Sequence, residues 1–416
     1  MVGVVAGVGS VLILTRALGF SGFGVLAVAL AYTAIVSALS DGGLQFRGPV
    51  ALVHARDAPA QVLMDLLMAR VLLALAGLVL GAGAAMVIYR GQGSVLPVVL
   101  VVLVSLLPGA VLNTWVALLQ ANLLLVRAAA AEAASRLCLL GAQGLLVALR
   151  APLGDYALAA VGAVLLHSAL LLIVAPGRVL GRAHPSPRRS WALLRSGLPL
   201  AMAGAVSTLY ARVDLLLVAW LGGVAAAGVY AVAYRFLDIL LVVPGLVGAA
   251  ALPVLVARAG DRAGLASLLR ALVQSLLTIM IPAAVVVTLL APWLVRWAAG
   301  PTFLAAATPL RWLAVSSVVS SATIVLGLTL IAVGRYSVFL GVSVVGLAVN
   351  VGGNLVAIPR WGPAGAAGMT MLGETVALVV LLVLVRGLSG RIPWPQLPRP
   401  RVVREAFATI DLGTRT

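Results

Sequence analysis

Long apolar runs, broken at short intervals by arginine, glycine and proline, dominate the chain. A helix that crosses the hydrocarbon core of a bilayer needs about 20 apolar residues. On that scale twelve runs stand out, at 1–18, 23–45, 62–89, 94–119, 127–149, 153–175, 192–221, 225–256, 269–298, 305–333, 335–358 and 363–387. The gaps at Gly19–Gly22, Ala151–Gly154, Gly222–Gly223 and Trp361–Pro363 are short and rich in glycine or proline, as tight turns between antiparallel helices are. The pattern predicts an all-α polytopic membrane protein of about twelve transmembrane helices. The first run opens at Met1 without a charged segment before it, which argues against a cleaved signal peptide.

Composition agrees and narrows the class. Of 416 residues, 63% are hydrophobic and 9% charged, and the mean hydropathy is +1.19. A soluble domain carries roughly 25% charged residues, so there is too little charge here to cover water-soluble domains. One cysteine, Cys138, excludes a disulfide scaffold. All 28 basic residues are arginine, against 11 acids, for a net charge of +17. In a soluble protein that excess would point to nucleic acid; here most arginines fall between the apolar runs and no nucleic-acid partner is expected. With the N-terminus inside, 18 arginines lie on the cytoplasmic side, and five (Arg16, Arg90, Arg150, Arg296 and Arg360) lie outside. Positive loops stay in the cytoplasm, so twelve spans with both termini cytoplasmic is self-consistent.

The chain also repeats itself. Gly24-Val25-Leu26-Ala27-Val28-Ala29 recurs as Gly228-Val229-Tyr230-Ala231-Val232-Ala233, and Pro49-Val50 as Pro253-Val254, both 204 residues apart. Six helices separate the copies, so both halves enter the membrane in the same direction. Parallel repeats of this kind are a plan of secondary transporters. The expected organisation is an N-terminal six-helix bundle over 1–176, a basic cytoplasmic linker over 177–191, a second six-helix bundle over 192–388 and a basic tail over 389–416.

Several chemistries are excluded or weak. No GxxxxGK[ST] segment is present to cradle nucleotide phosphates, and no segment outside the membrane is long enough for a catalytic domain. His54, His167 and His184 are far apart and lack metal-ligand spacing. No nucleophile–base constellation is visible. Neither metal nor cofactor is expected, and the chain reads as a transporter rather than an enzyme.

Ionisable groups within spans are costly and usually face a bundle interior or a hydrated cavity. Glu132 and Arg136, four apart, can pair along one helix face. Arg235 and Asp238, three apart, can neutralise each other or face a cavity, while Asp65 and Arg70, five apart and near the inner face, can snorkel as Arg270 and Arg296 can at helix ends. Arg212 and Asp214, two apart, diverge by about 200° and each needs a partner elsewhere. Tyr210, Tyr230 and Tyr234 lie in the same helix pair. Arg311 and Glu374 sit in later spans, and Asp41 closes the second. Unpaired arginine in a conducting cavity favours an anionic passenger. Asn350 and Asn354, one turn apart, can hydrogen-bond a neutral sugar or hold adjacent helices together.

At these residues the sequence resembles Wzx-type polysaccharide and oligosaccharide flippases of the multidrug/oligosaccharidyl-lipid/polysaccharide flippase superfamily. The resemblance is carried by Thr15-Arg16-Ala17-Leu18-Gly19 with Gly22-Phe23-Gly24, by Leu39-Ser40-Asp41-Gly42-Gly43-Leu44, and by Gly197-Leu198-Pro199 through Arg212-Val213-Asp214. It continues in Gly228–Arg235, Asn354 through Ile358-Pro359, and Gly362–Ala367. The first helix is shorter than the family's, and Trp361 and Pro363 flank Gly362 where the family has a simpler turn.

The resemblance implies two six-helix bundles in a V-shaped, alternating-access carrier. Such carriers move polyprenyl-diphosphate-linked oligosaccharides from the cytoplasmic to the outer leaflet of a bacterial inner membrane. On this reading Arg212, Arg235 and Arg311 meet the diphosphate; Tyr230, Tyr234, Asn350 and Asn354 line the cavity; and Asp41, Asp214, Asp238 and Glu374 couple transport to an ion or hold the arginines. The partners are then the lipid-linked glycan, membrane lipids and glycan assembly proteins, and the carrier is expected to be a monomer. Two further readings stay open: an organic-cation antiporter, and a non-transporting scaffold that recruits glycan assembly enzymes through Arg386–Thr416.

Overall fold

The computed structural model describes residues 2–55, 58–175 and 183–389, and, at 2–5, 199–200 and 388–389, the backbone alone. The start of the expected linker and the tail 389–416 thus lie outside the described residues, apart from the backbone of Ser389. Among the described residues all regular structure is helical. The elements run α1 (Val2–Leu39), α2 (Leu44–His54), α3 (Pro59–Ile88), α4 (Val95–Leu103), α5 (Leu106–Ala121), α6 (Leu125–Ala148) and α7 (Leu153–Val174). They continue as α8 (Pro187–Leu240), α9 (Val242–Ala257), α10 (Arg262–Ala299), a 3₁₀ turn (Pro301–Ala306), α11 (Ala307–Ala332) and α12 (Tyr336–Ser389).

Nine helical stretches among the described residues are long and apolar enough to cross a membrane. Two of them, Ala201–Ala257 and Tyr336–Gly387, have 57 and 52 residues. Straight, each would be about 80 Å long, more than twice the ~30 Å hydrocarbon core. Neither is straight. Gly223 (φ 84°, ψ 166°) interrupts α8, Gly362 (φ 57°, ψ −141°) interrupts α12, and Gly19 (φ 63°, ψ −168°) interrupts α1. That backbone region is open essentially to glycine alone, which is why the turn residues read from the sequence recur as breaks at these positions.

At Gly362 the chain reverses. A methyl group on Gly365 would collide with the Ala357 carbonyl oxygen, and one on Gly353 with the Met369 side chain. Both pairs are symmetric about Trp361, so the two halves of α12 run antiparallel in close contact. Pro363, which cannot donate a backbone hydrogen bond, sits where the returning helix begins and leaves no donor unsatisfied there.

Proline marks two other breaks. Pro108 has no N–H for the Val104 carbonyl, and the α4–α5 junction tightens, with Ser105 N donating to Val102 O at 3.0 Å and Leu107 N to Val104 O at 3.2 Å. Pro244 follows the α8–α9 break at Leu241 in the same way. One helix escaped the hydropathy reading. The segment after Asp41 is not a loop but α2, which buries Leu44, Gly48 and Leu52 at four-residue spacing.

By packing the chain divides into two compact units, Met1–Ala219 and Trp220–Thr416. The divide falls inside α8, and α8 itself begins at Pro187, within the segment expected as a linker. Each unit holds one copy of the repeat. Val25–Ala29 in the first, and Gly228–Ala233 in the second, are buried at every position. The helix that follows carries the repeated proline, Pro49 in α2 and Pro253 in α9. Uninterrupted burial around the whole helix leaves room only for small or close-packing residues, and this preserves the repeated Gly/Val/Ala string. The first unit's core gathers Leu44, Leu63, Leu66, Trp115, Leu118 and Leu171; the second gathers Leu255, Leu269, Leu276, Val325, Leu330 and Leu381. Outward faces are also apolar: Leu72, Leu75, Val79 and Val87 of α3 are exposed at helical spacing, the surface a lipid environment requires.

Candidate functional site

Asp41 sits in the break between α1 and α2, where Gly42 (φ 61°) and Gly43 (φ 74°) turn the chain. Its Oδ2 accepts a hydrogen bond from Gln45 N at 3.0 Å, so the carboxylate satisfies an N-terminal donor of α2. Ser40 beside it packs so closely on α3 that a methyl on Gly77 would collide with its hydroxyl. Gly43 meets α8 at Gly197 just as closely. The broken helix is therefore clamped between α3 and α8 by glycines.

Asp65 and Arg70 do not snorkel to the surface as expected of them; both are buried. Five residues on one helix place them about 140° apart, and each follows its own direction. Asp65, 1% exposed, turns to the start of α8. Its Oδ2 accepts from Arg189 Nε at 2.7 Å, and its Oδ1 from Ser186 N at 2.6 Å and Gln61 Nε2 at 3.2 Å. Ser190 Oγ donates to the Asp65 carbonyl at 2.9 Å, and Gln61 Nε2 also reaches the His184 carbonyl at 2.5 Å. Arg70 points instead toward Gly48 of α2 and is 4% exposed. Its Nε and Nη1 have no hydrogen-bond partner among the described residues. Spacing gave no sign of either outcome, because the partner of Asp65 lies more than 120 residues away.

The other pairs follow their spacing. Arg136 Nη2 and Glu132 Oε1 are 2.8 Å apart on α6, with both side chains about half exposed. Arg235 Nη1 and Asp238 Oδ2 are 3.7 Å apart on α8, partly exposed. Arg212 is half-buried, while Asp214 on the same helix is 1% exposed; both belong to the first unit.

The remaining residues named from the sequence lie in the second unit. Tyr230 is fully buried, its ring 5.8 Å from that of Tyr234 and its hydroxyl 3.3 Å from Thr370 Oγ1. Thr370 Oγ1 in turn donates to the Ala366 carbonyl at 3.1 Å. Asn354 Nδ2 donates to Asn350 Oδ1 at 3.0 Å, and neither asparagine is exposed. Asn350 Nδ2 has no hydrogen-bond partner among the described residues. Glu374 is half-buried on the returning half of α12. Arg311 is exposed in the first two turns of α11 and makes no ion pair among the described residues. The structure thus joins Tyr230 with Tyr234, Asn350 with Asn354 and Arg235 with Asp238. No group of three metal-ligating side chains occurs among the described residues.

Solved structures with this fold are transporters and flippases. The lipid II flippase MurJ, in an inward closed conformation, superposes with a TM-score of 0.77 at 13% identity, over 100% of this chain and 91% of that one. An inward-facing multidrug resistance MATE transporter of the MOP superfamily matches with a TM-score of 0.74 at 17% identity, over 93% and 95% of the two chains. A MOP superfamily transporter from Pyrococcus furiosus matches with a TM-score of 0.70 at 15% identity, over 94% and 93%. No curated protein matches by sequence. A family model described as polysaccharide biosynthesis protein matches residues 13–308. On that match the chain, a multi-pass helical membrane protein with the MOP superfamily fold, belongs to the polysaccharide biosynthesis protein family.

Proposed function

We propose that this protein is a flippase that moves a polyprenyl-diphosphate-linked oligosaccharide across a bacterial inner membrane by alternating access, for surface polysaccharide biosynthesis. The observation that carries the reading is the polysaccharide biosynthesis family match over residues 13–308 on a fold shared along its whole length with a lipid II flippase. The arginines within the apolar stretches support it, since fixed cations suit a diphosphate better than an organic cation. The protein works as a transporter with no chemistry of its own, as a monomer.

Twelve crossings with both termini cytoplasmic complete the proposal, the breaks at Gly19, Gly223 and Gly362 being reversals. Residues 1–176 and 192–388 are the two six-helix bundles, with 177–191 and 389–416 in the cytoplasm. Arg212, Arg235 and Arg311 receive the diphosphate. Tyr230, Tyr234, Asn350 and Asn354 contribute polar groups for the sugars or for helix packing. Asp41, Asp214, Asp238 and Glu374 couple transport to an ion or hold the arginines. The test is glycan export in cells at equal protein abundance. Arg212→Lys is expected to keep most export, and Arg212→Ala to lose about tenfold or more, the worth of a charge-assisted hydrogen bond. Full export by the alanine variant removes Arg212 from the mechanism.

The likeness to a multidrug resistance transporter favours one second reading, an organic-cation antiporter. Expression in an efflux-deficient host separates the two: the flippase reading expects no gain in resistance to cationic drugs.

A further inference from the structure

The first turns of α8 carry a chemistry that the transport reading leaves unused. Residues 187–198 are helical and precede the apolar stretch that starts at Ala201. At about 100° per residue, Ser190, Leu193, Leu194 and Gly197 fall on one side. That side is fixed to the first unit. Ser190 Oγ donates to the Asp65 carbonyl at 2.9 Å, and Leu193 and Leu194 pack on the core around Leu66 and Trp115. A methyl on Gly197 would lie 2.6 Å from the Gly42 carbonyl oxygen. Arg189, at the edge of this side, gives its Nε to Asp65 at 2.7 Å. With these ties the helix cannot roll.

The opposite side presents Arg188, Trp191, Arg195, Leu198 and Met202, spaced three, four, three and four residues apart, within an arc of about 80°. All five are exposed; Trp191 is 67% exposed, Leu198 58% and Met202 54%. The stripe changes character along its length. Two guanidinium groups and an indole come first, and within about 10 Å of Arg195 only apolar side chains follow. This order, basic and aromatic first and apolar after, is that of a bilayer leaflet: headgroups and the interface where tryptophan collects, then acyl chains. A helix facing water or a soluble partner has no use for the apolar continuation.

We infer that this stripe is a docking surface for anionic phospholipid, with headgroup phosphates on Arg188 and Arg195 and with Trp191, which lies between them, in the same interfacial layer. The planar guanidinium matches phosphate oxygens two at a time. Through Asp65 the same contact sets the depth of α3 as well as α8. The inference does not depend on what the protein transports.

The full chain, purified in neutral detergent and reconstituted with brominated lipids, tests it by tryptophan quenching and by affinity. Brominated phosphatidylglycerol is expected to quench more strongly than brominated phosphatidylcholine, and Trp191→Phe to remove that difference. Arg188→Gln with Arg195→Gln is expected to weaken phosphatidylglycerol binding about 30-fold, from about fivefold per arginine. The charge-preserving lysine pair is expected to keep most of the affinity. Equal binding of both lipids, or unchanged phosphatidylglycerol affinity in the glutamine variant, overturns the inference. So does competition by inorganic pyrophosphate, which would assign the surface to a diphosphate rather than to the membrane.

Discussion

Asp65 shows how a buried charge in this protein is satisfied. One carboxylate takes three donors from α3 and the start of α8, and only one of them, Arg189, is charged. Arg189 is 56% exposed and Asp65 1%, so loss of Arg189 leaves a buried carboxylate without its cation, whereas loss of Asp65 frees the Arg189 guanidinium to water and takes an acceptor from Ser186 and Gln61. Asp65→Ala is therefore expected to destabilise by about 2–3 kcal/mol, and Arg189→Gln by at least as much because the carboxylate stays buried, both read as melting temperature in detergent. Arg70 is the converse case, a buried cation whose Nε and Nη1 lack partners among the described residues. Replacing such a group by an apolar one of similar size is neutral or stabilising. Arg70→Met is expected to leave the melting temperature unchanged or to raise it, and a clear drop would mean that the guanidinium is well solvated in place.

At the scale of elements, glycine and proline decide where helices stop. Gly223 and Gly362 hold backbone angles that a Cβ disfavours, so Gly223→Ala and Gly362→Ala are each expected to destabilise by about 1–3 kcal/mol. Gly365→Ala adds a collision with the Ala357 backbone and is expected to separate the two halves of α12. Thermal unfolding of the three variants, compared with Gly83→Ala, where the added methyl meets open space, checks this. The control should melt at or slightly above the wild-type temperature. These positions were legible beforehand because glycine and proline act locally. Helix α2 was not, since its buried stripe of Leu44, Gly48 and Leu52 is too short to stand out beside the long apolar runs.

For the whole molecule, the proposed twelve crossings order the loops alternately on two sides. Cys138 is the single cysteine and is exposed, so Cys138→Ala gives a cysteine-free background. Single cysteines placed at Gln92 and Ala259 are expected to behave oppositely toward a membrane-impermeant maleimide. Gln92 should label in intact cells, and Ala259 only after permeabilisation; labelling of both in intact cells would break the proposed topology.

Hydropathy alone determined that this chain lives in a membrane and that it is helical, because removing backbone and apolar side chains from water is a property of each segment by itself. The repeat itself was legible because both copies of the Gly/Val/Ala string are buried on every side. What only the tertiary structure decided is which charges meet. Pairs within one helix, Glu132 with Arg136 and Arg235 with Asp238, follow from spacing. The partner of Asp65 and the lack of one for Arg70 Nε and Nη1 among the described residues do not, because they depend on which face of α3 receives α8 and which receives α2. That choice is made by close packing at Gly42, Gly43 and Gly197, among residues distant in the chain.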